Sequence, residues 1–384
     1  MNDHRTTSLL NLCARGESHY FQEQELARLC KGFTHWDQLL FTAEHHGMAP
    51  LLYMHLTRIQ ADLPGDFIRG LRLLKLRHKQ ANSLLMGCLQ EILPVLESNG
   101  IRCLVLKGAA LCQTVYPDIG LRPMRDIDLL LAKEDVGRAH SLLVTTGFHS
   151  GDDPLPEDYY HLPPLFKNRE GMRICVELHH GLFPDDPPYY QQLDFEGLYQ
   201  NRKRFEVGDT EAFTLADEDM LWHLFQHGFR APLTYEPYRL ISVADIVTVV
   251  ENRLSEINWD TLAGRYPRLL NALPLFHYIT PWNNDVLLKK SFKTKRRISD
   301  VGEPYSGWPL CTLSGIARPE FMNVFFKTVY PGQWWTMLYY GKNTRVFSLF
   351  WYRIVSHPLH LLRWVKIYIR KSMKEKNEEG SKGR

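Results

Sequence analysis

From about Pro64 to Ser98 apolar residues recur at helical spacing: Phe67, Leu71, Leu74 and Leu76, then Leu84, Leu85, Leu89, Ile92, Leu93 and Leu96. Arg69, Arg72, Lys75, Arg77 and Lys79 are interleaved with them, so the pattern predicts one long amphipathic helix with a solvated cationic face. Upstream, Leu9, Leu10 and Leu12 open a shorter helix, and Thr34 to Asp37 supplies capping residues before Leu39, Leu40 and Ala43. Met48 to Leu52 starts the next. Residues 1–97 therefore read as an N-terminal helical region. His35, His45 and His46 lie close in sequence, and a helix surface or cap explains them more simply than a metal.

After residue 100 the period changes. Ile101 to Leu106 is an apolar run of strand length, stopped by Lys107-Gly108, where glycine permits a tight turn or the approach of a phosphate. A short helix is predicted over Ala109–Tyr116, and Pro117, Gly120 and Pro123 then break the chain. Asp126 to Leu131 reads as a second strand. Strand side chains alternate, so Asp126 and Asp128 share one face while Ile127 and Leu129 point to the other. A helix over Glu134–Thr146 follows, with Gly147 as its C-terminal cap. Gly151 to Lys167 reads as a loop over the site. Ile174 to His179 is a third strand, with Glu177 on the face of Cys175 and His179. Residues 98–205 form this alternating core. Helical spacing returns from about 210 to 290: Thr214 to Asp219 caps the run Met220, Leu221, Leu224 and Phe225, Tyr238 to Ile246 opens another helix, and Asn258 to Asp260 caps the next. Arg239 and Asp245 are too far apart along that helix to require contact.

At 384 residues, with 44% apolar residues, the chain can fill sizeable cores in two or three domains. A net charge of +3 gives no global argument for nucleic acid. The distribution changes that picture only at the C-terminal end. Residues 321–374 contain nine Lys or Arg, fourteen aromatics and no Asp or Glu, and Pro358 is predicted to divide them into two helices. Such a stretch suits packing on the body of the protein or on a partner, or the headgroup region of an anionic membrane, and a base-stacking groove less well. Lys293, Lys295, Arg296 and Arg297 cluster just before it, and the polar residues 375–384 read as a disordered tail. Seven scattered cysteines (13, 30, 88, 103, 112, 175 and 311) form no C-x-x-C pair, which points to reduced core thiols in a cytoplasmic protein. Neither a signal peptide nor a membrane-spanning run is expected.

The candidate chemistry sits between residues 101 and 180. Asp126 and Asp128, roughly 7 Å apart along the strand, repel each other unless a cation lies between them. That arrangement suits Mg²⁺, which takes oxygen ligands and brings substrate phosphates with it, and Mn²⁺ is the alternative ion. Alone, Asp-x-Asp marks a solvated strand as readily as a site. Here a Lys-Gly turn precedes it and Glu177 follows as a third acid, and together these are the parts needed for metal-assisted nucleotidyl transfer. Arg122 is the candidate guanidinium for a polyphosphate, whereas Arg125, directly before Asp126, suits a surface ion pair. His179 serves either a phosphate or the orientation of Glu177, or simply ends a strand. A zinc set of His161, Cys175, His179 and His180 is geometrically loose.

The run KGAAL, a following Tyr-Pro, then Arg122-Pro-Met-Arg125-Asp-Ile-Asp-Leu-Leu and VELHHGLF resemble the uncharacterised nucleotidyltransferase family of the DNA polymerase beta superfamily. The A-x-x-H-G-x-A-P-L-L pattern at residues 43–52 and the His-Gly, Arg-Leu and Asp-Ile pairs of the second helical part are similar too. The resemblance implies an α+β fold, a small mixed sheet flanked by N-terminal and C-terminal helical regions, with residues 206–290 walling the cleft. It implies that Asp126, Asp128 and Glu177 are metal-binding and catalytic, and that NTP is the donor. Lys107-Gly108 departs from the superfamily's usual Gly-Ser or Gly-Gly. The missing serine hydroxyl leaves Lys107, the Gly108 amide, Arg122 and His179 to meet the triphosphate. The expected reaction moves an NMP group to a hydroxyl of a sugar, metabolite or protein, at the cytoplasmic face of a membrane or free of it. A silent scaffold at a membrane assembly, for example one making surface polysaccharide, and transfer of a terminal phosphate are the alternatives.

Overall fold

The structure is a computed structural model that describes residues 4–59, 61–151, 155, 159–183, 193–229, 239–290, 325–326, 328–340, 346–363 and 365–366. The cations at 293–297, Cys311 and the tail at 375–384 lie outside the described residues. Five N-terminal helices, α1 (His4–Leu12), α2 (Tyr20–Cys30), α3 (Trp36–His45), α4 (Ala49–Arg58) and α5 (Gly65–Ser98), precede the first strand. The long amphipathic repeat forms α5 over nearly the predicted span, and its apolar stripe of Leu85, Leu89, Ile92 and Leu96 is buried. That stripe packs against the sheet, so the last N-terminal helix is also a wall of the core.

One seven-stranded mixed sheet follows, in the order β3-β4-β5-β2-β1-β7-β6. Its strands are β1 (Cys103–Val105), β2 (Ile127–Leu131), β3 (His149–Ser150), β4 (Leu165–Arg169), β5 (Met172–His179), β6 (Lys203–Val207) and β7 (Thr210–Thr214). Between and after them run α6 (Lys107–Thr114), α7 (Val136–Thr145), α8 (Phe195–Gln200), α9 (Asp217–Phe229), α10 (Leu240–Asn252), α11 (Trp259–Arg265), α12 (Pro267–Phe276) and α13 (Asn284–Lys290). This is the expected α+β class.

Strand β2 is central because all five of its residues are buried, as a strand covered on both faces must be. It runs antiparallel to β1 and parallel to β5, in a register that sets Asp128 beside Glu177 and Leu130 beside His179. Neighbouring residues in a ladder project to the same face. The register therefore brings the second aspartate and the glutamate together.

Several boundaries differ from the sequence reading, each for a local reason. Helix α6 begins at Lys107, not Ala109, and ends at Thr114, because Lys107-Gly108 forms the first helical turn and not a separate loop. β2 begins at Ile127, so Asp126 stands just ahead of the strand. The expected loop over 151–167 gives way at Leu165 to β4, which pairs with β5. Residues 203–214, the latter part of which read as the start of a helical region, form the hairpin β6–β7 and carry the sheet past residue 205. Its signal was present: Phe205, Val207, Ala212 and Thr214 are buried, Arg204, Glu206 and Glu211 alternate with them, and Gly208 makes the turn at φ +58°. Gly147 caps α7 at φ +92°, as predicted.

Candidate active site

Lys107 starts the site. It is a non-glycine residue at φ +41°, at the first turn of α6, and its ammonium nitrogen reaches Asp128 Oδ1 at 3.1 Å. Asp128 is 3% exposed, and on its other side His179 Nε2 lies 3.0 Å from the same oxygen and 3.4 Å from Glu177 Oε2. His161 pairs with His179 in an isolated antiparallel bridge and places Nε2 4.0 Å from Glu177 Oε2. Asp126 lies near enough to Asp128, Glu177 and Lys107 to sense the charge of all three. Asp128 and Glu177 thus meet through His179, Lys107 sits on Asp128, and Asp126 lies within electrostatic range of them.

The charges are unevenly compensated. Burial pushes Asp126 up, and the negative charge of Asp128 adds to it, so its carboxyl is raised to about 6. Burial would also raise Asp128, but Lys107 and the His179 hydrogen bond outweigh it and hold that carboxyl well below the usual range. Glu177 is held down in the same way, burial again opposing and the His179 hydrogen bond prevailing. Burial works against the charge of Lys107 and His179, yet the neighbouring carboxylates raise both. The site is therefore rich in negative charge at Asp126 and satisfied at Asp128. Asp128, Glu177 and His179 can each offer a ligand atom within 4.8 Å of the others. Carboxylate oxygens with one imidazole suit a divalent cation, and the raised Asp126 marks where further positive charge is wanted.

Arg122 is elsewhere engaged. Its Nη2 donates to Asp245 Oδ2 at 2.9 Å, and the Tyr116 hydroxyl donates to Asp245 Oδ1 at 2.9 Å. Asp245 sits on α10 at 2% exposure, so the second helical part is tied to the loop before β2. The guanidinium also explains Gly108: a Cβ there would overlap Arg122 Nη1 and stand 3.0 Å from Met124 Cγ. The glycine makes room for an arginine, whatever else its amide does. Gly108→Ala should cost about 1–3 kcal/mol, because the blocked guanidinium is pinned and cannot swing aside freely. A urea titration showing no loss would remove that account.

Asn82 of α5 was not foreseen. Fully buried, it donates through Nδ2 to Arg122 O at 2.8 Å, and its Oδ1 accepts from Met124 N at 3.2 Å, bracing the loop that carries Arg122. A lone asparagine on a helix face carries no signal of such a role. Arg125 is exposed, as expected. Arg239 Nε donates to His45 O at 3.3 Å, so it and Asp245 have different partners. His180 Nε2 pairs with Tyr159 O at 2.8 Å. Burial, then the charges of Glu177 and Asp126, push the Cys175 thiol up to about 12, which disfavours the thiolate a zinc ion needs. Among the described residues the loose zinc set does not assemble.

Residues 33–280 match the profile described as uncharacterised nucleotidyltransferase, well over half of the chain. The chain belongs to the uncharacterised nucleotidyltransferase family. It is accordingly an enzyme of nucleotidyltransferase type with a nucleotide substrate. No curated protein matches this nucleotidyltransferase in sequence. Among solved structures, the antibiotic-resistance factor ANT(2'')-Ia is 14% identical with a TM-score of 0.34, covering 51% of this chain and 98% of that one. An antigenic nucleotidyltransferase-like protein from Paracoccidioides brasiliensis is 13% identical with a TM-score of 0.29, covering 55% of this chain and 96% of that one. Both likenesses are too distant for any residue role to be carried across.

Proposed function

We propose that this nucleotidyltransferase moves an NMP group from an NTP to a hydroxyl acceptor in a reaction supported by Mg²⁺, with Mn²⁺ as a substitute. The observation that supports the reading is the cluster of Asp128, Glu177 and His179 beside the Lys107 turn, with Asp126 in electrostatic range and short of positive charge through burial and repulsion. Asp126 and Asp128 are the residues that would hold the metal, with Glu177 completing the set. When bound, a divalent ion there would neutralise charge on the triphosphate and polarise its phosphoryl oxygens.

The chain's own groups divide the remaining work. Lys107 and the Gly108 amide, at the start of α6, face an incoming triphosphate with positive charge, as helix N-termini do. Arg122, held by Asp245 against Gly108, adds positive charge behind the same turn, and His179 would add a further donor. The acceptor oxygen bonds to the α-phosphorus, the bond to the β-phosphate bridging oxygen breaks, and pyrophosphate leaves with that electron pair. Glu177 would take the acceptor's proton. Sugars, small metabolites and protein hydroxyls are the acceptor classes to screen, using α-labelled NTPs; release of NDP in place of pyrophosphate would instead establish terminal phosphate transfer.

One observation favours a second reading, a silent binding protein: Asp128 already holds both Lys107 and His179. Calorimetry separates the two, since a silent protein should give no metal-dependent heat with any NTP. For the enzyme, an NTP with Mg²⁺ at a hundred times its dissociation constant should stabilise the fold by about 2.7 kcal/mol. A chelator should abolish the resulting rise in melting temperature. No helix among the described residues is long and apolar enough to cross a membrane. A peripheral place at the inner face of an anionic membrane is part of the proposal.

A further inference from the structure

The basic, aromatic C-terminal stretch sends its rings in two directions. In the helix Gln333–Tyr340 the side chains of Trp334, Trp335, Leu338 and Tyr339 are buried, and Trp334 Nε1 donates to Leu275 O at 2.8 Å. These rings close the body of the protein. The helical stretch that starts at Val346 behaves differently. Its inner side, Leu349, His357, His360 and Leu361, is buried, and His357 Nδ1 and His360 Nε2 each lie 2.8 Å from the hydroxyls of Tyr340 and Tyr339. Its outer side is apolar as well. Phe350, Trp351, Ile354, Leu359, Leu362 and Val365 are all exposed, from 43% at Val365 to 58% at Leu362.

Pro358 does not divide this stretch into two helices, as the sequence reading had it. A π turn at Tyr352–Ser356, in which the His357 N–H bonds to Tyr352 O, precedes the proline, and helix continues over 357–363. The wide turn accommodates the ring and the hydrogen bond that proline cannot make. It also sets the phase. Leu349 and His357 are eight residues apart, about 80° out of line in an unbroken α-helix, and the extra residue in the turn removes much of that offset. One side stays inward, and the six large apolar groups stay outward.

A helix packed on a protein by one side ordinarily presents polar residues on the other. A contiguous exposed apolar face marks a binding surface. We propose that the face from Phe350 to Val365 lies flat in the headgroup region of an anionic membrane, with the exposed Arg363 and Lys366 at the lipid phosphates. Charge selects this occupant. Residues 321–374 hold nine cations and no Asp or Glu. A second copy seated on the same face about a twofold axis would bring Arg363 and Lys366 toward their own counterparts, with no acid in the segment to pair them. An anionic lipid surface satisfies the apolar groups and the cations together. The inference rests on the peripheral membrane placement proposed above and not on the chemistry proposed for the acids.

The full chain should float with vesicles of phosphatidylcholine and phosphatidylglycerol, remain behind with phosphatidylcholine alone, and be released by high salt. The triple variant Phe350→Ser, Trp351→Ser, Leu362→Ser should bind the anionic vesicles at least about tenfold more weakly. Its melting temperature should be unchanged, since all three groups are exposed. If that variant does not fold, Arg363→Gln with Lys366→Gln decides, and should weaken binding to the anionic vesicles. The proposal is overturned if the parent chain fails to float with anionic vesicles, or if the folded variants float as well as the parent. It is equally overturned if the parent sediments as a dimer that the triple variant converts to monomer while neither floats. Transfer to a soluble acceptor, measured without lipid, should be the same for parent and triple variant, which keeps this test apart from the reading of the acids.

Discussion

Asp128→Ala is expected to lower NMP transfer by a thousandfold or more, about 4 kcal/mol of transition-state stabilisation, with a far smaller effect on folding. The two effects separate because Asp128 has opposed relations with its neighbours. Removing it leaves Lys107 and His179 without their nearest anion, which destabilises. It also relieves the repulsion that, added to burial, raises Asp126 to about 6. These changes partly cancel in the fold and do not cancel in catalysis, where the proposed metal loses its innermost carboxylate. Asp128→Asn keeps the shape and should be nearly as inactive. Rates with α-labelled NTP and Mg²⁺, compared with urea midpoints for the same proteins, test this. An Asp128→Ala enzyme transferring at the parental rate would end the catalytic assignment, and an Asp126→Ala/Asp128→Ala double variant that did so would leave no room to repair it.

The second large effect concerns stability. Asp245→Ala should cost about 3–5 kcal/mol, because it leaves the Arg122 guanidinium without its carboxylate in a buried setting and takes the acceptor from the Tyr116 hydroxyl. Against a total of about 5–15 kcal/mol for a typical protein, that is a large share. Replacing both partners by apolar groups, Arg122→Met with Asp245→Leu, should return part of the loss, since no buried charge is then orphaned. Denaturant midpoints for the two single variants and the double variant form the cycle. A single variant within about 1 kcal/mol of the parent would show that the pair does not hold the second helical part to the loop before β2.

Much of this architecture is legible in local pattern. The period of Phe67 to Leu96 writes out α5, and strand alternation puts Asp128 and Glu177 on strands, but neither pattern shows that the two strands are neighbours. The resemblance to the nucleotidyltransferase family, borne out by the match over residues 33–280, adds that adjacency. What the sequence hides are partners set by tertiary packing. Arg122 and Asp245 are separated by 123 positions, and nothing near either residue names the other. Asn82 looks like a surface residue on a helix until the loop folds over it. The π turn before Pro358 escapes because a proline in a helical run is usually a stop, and only the buried His357 and His360 show why the helix continues.

At φ +41°, Lys107 stands where glycine would be relaxed and any other residue carries about 1–2 kcal/mol of backbone cost. A Lys107→Gly exchange would thus ease the backbone while removing the one ammonium that touches Asp128 in the described structure. Backbone ease and the charge balance of the pocket then pull in opposite directions at a single position. The balance favours the lysine, because leaving the buried Asp128 carboxylate without its cation costs more than the left-handed turn does.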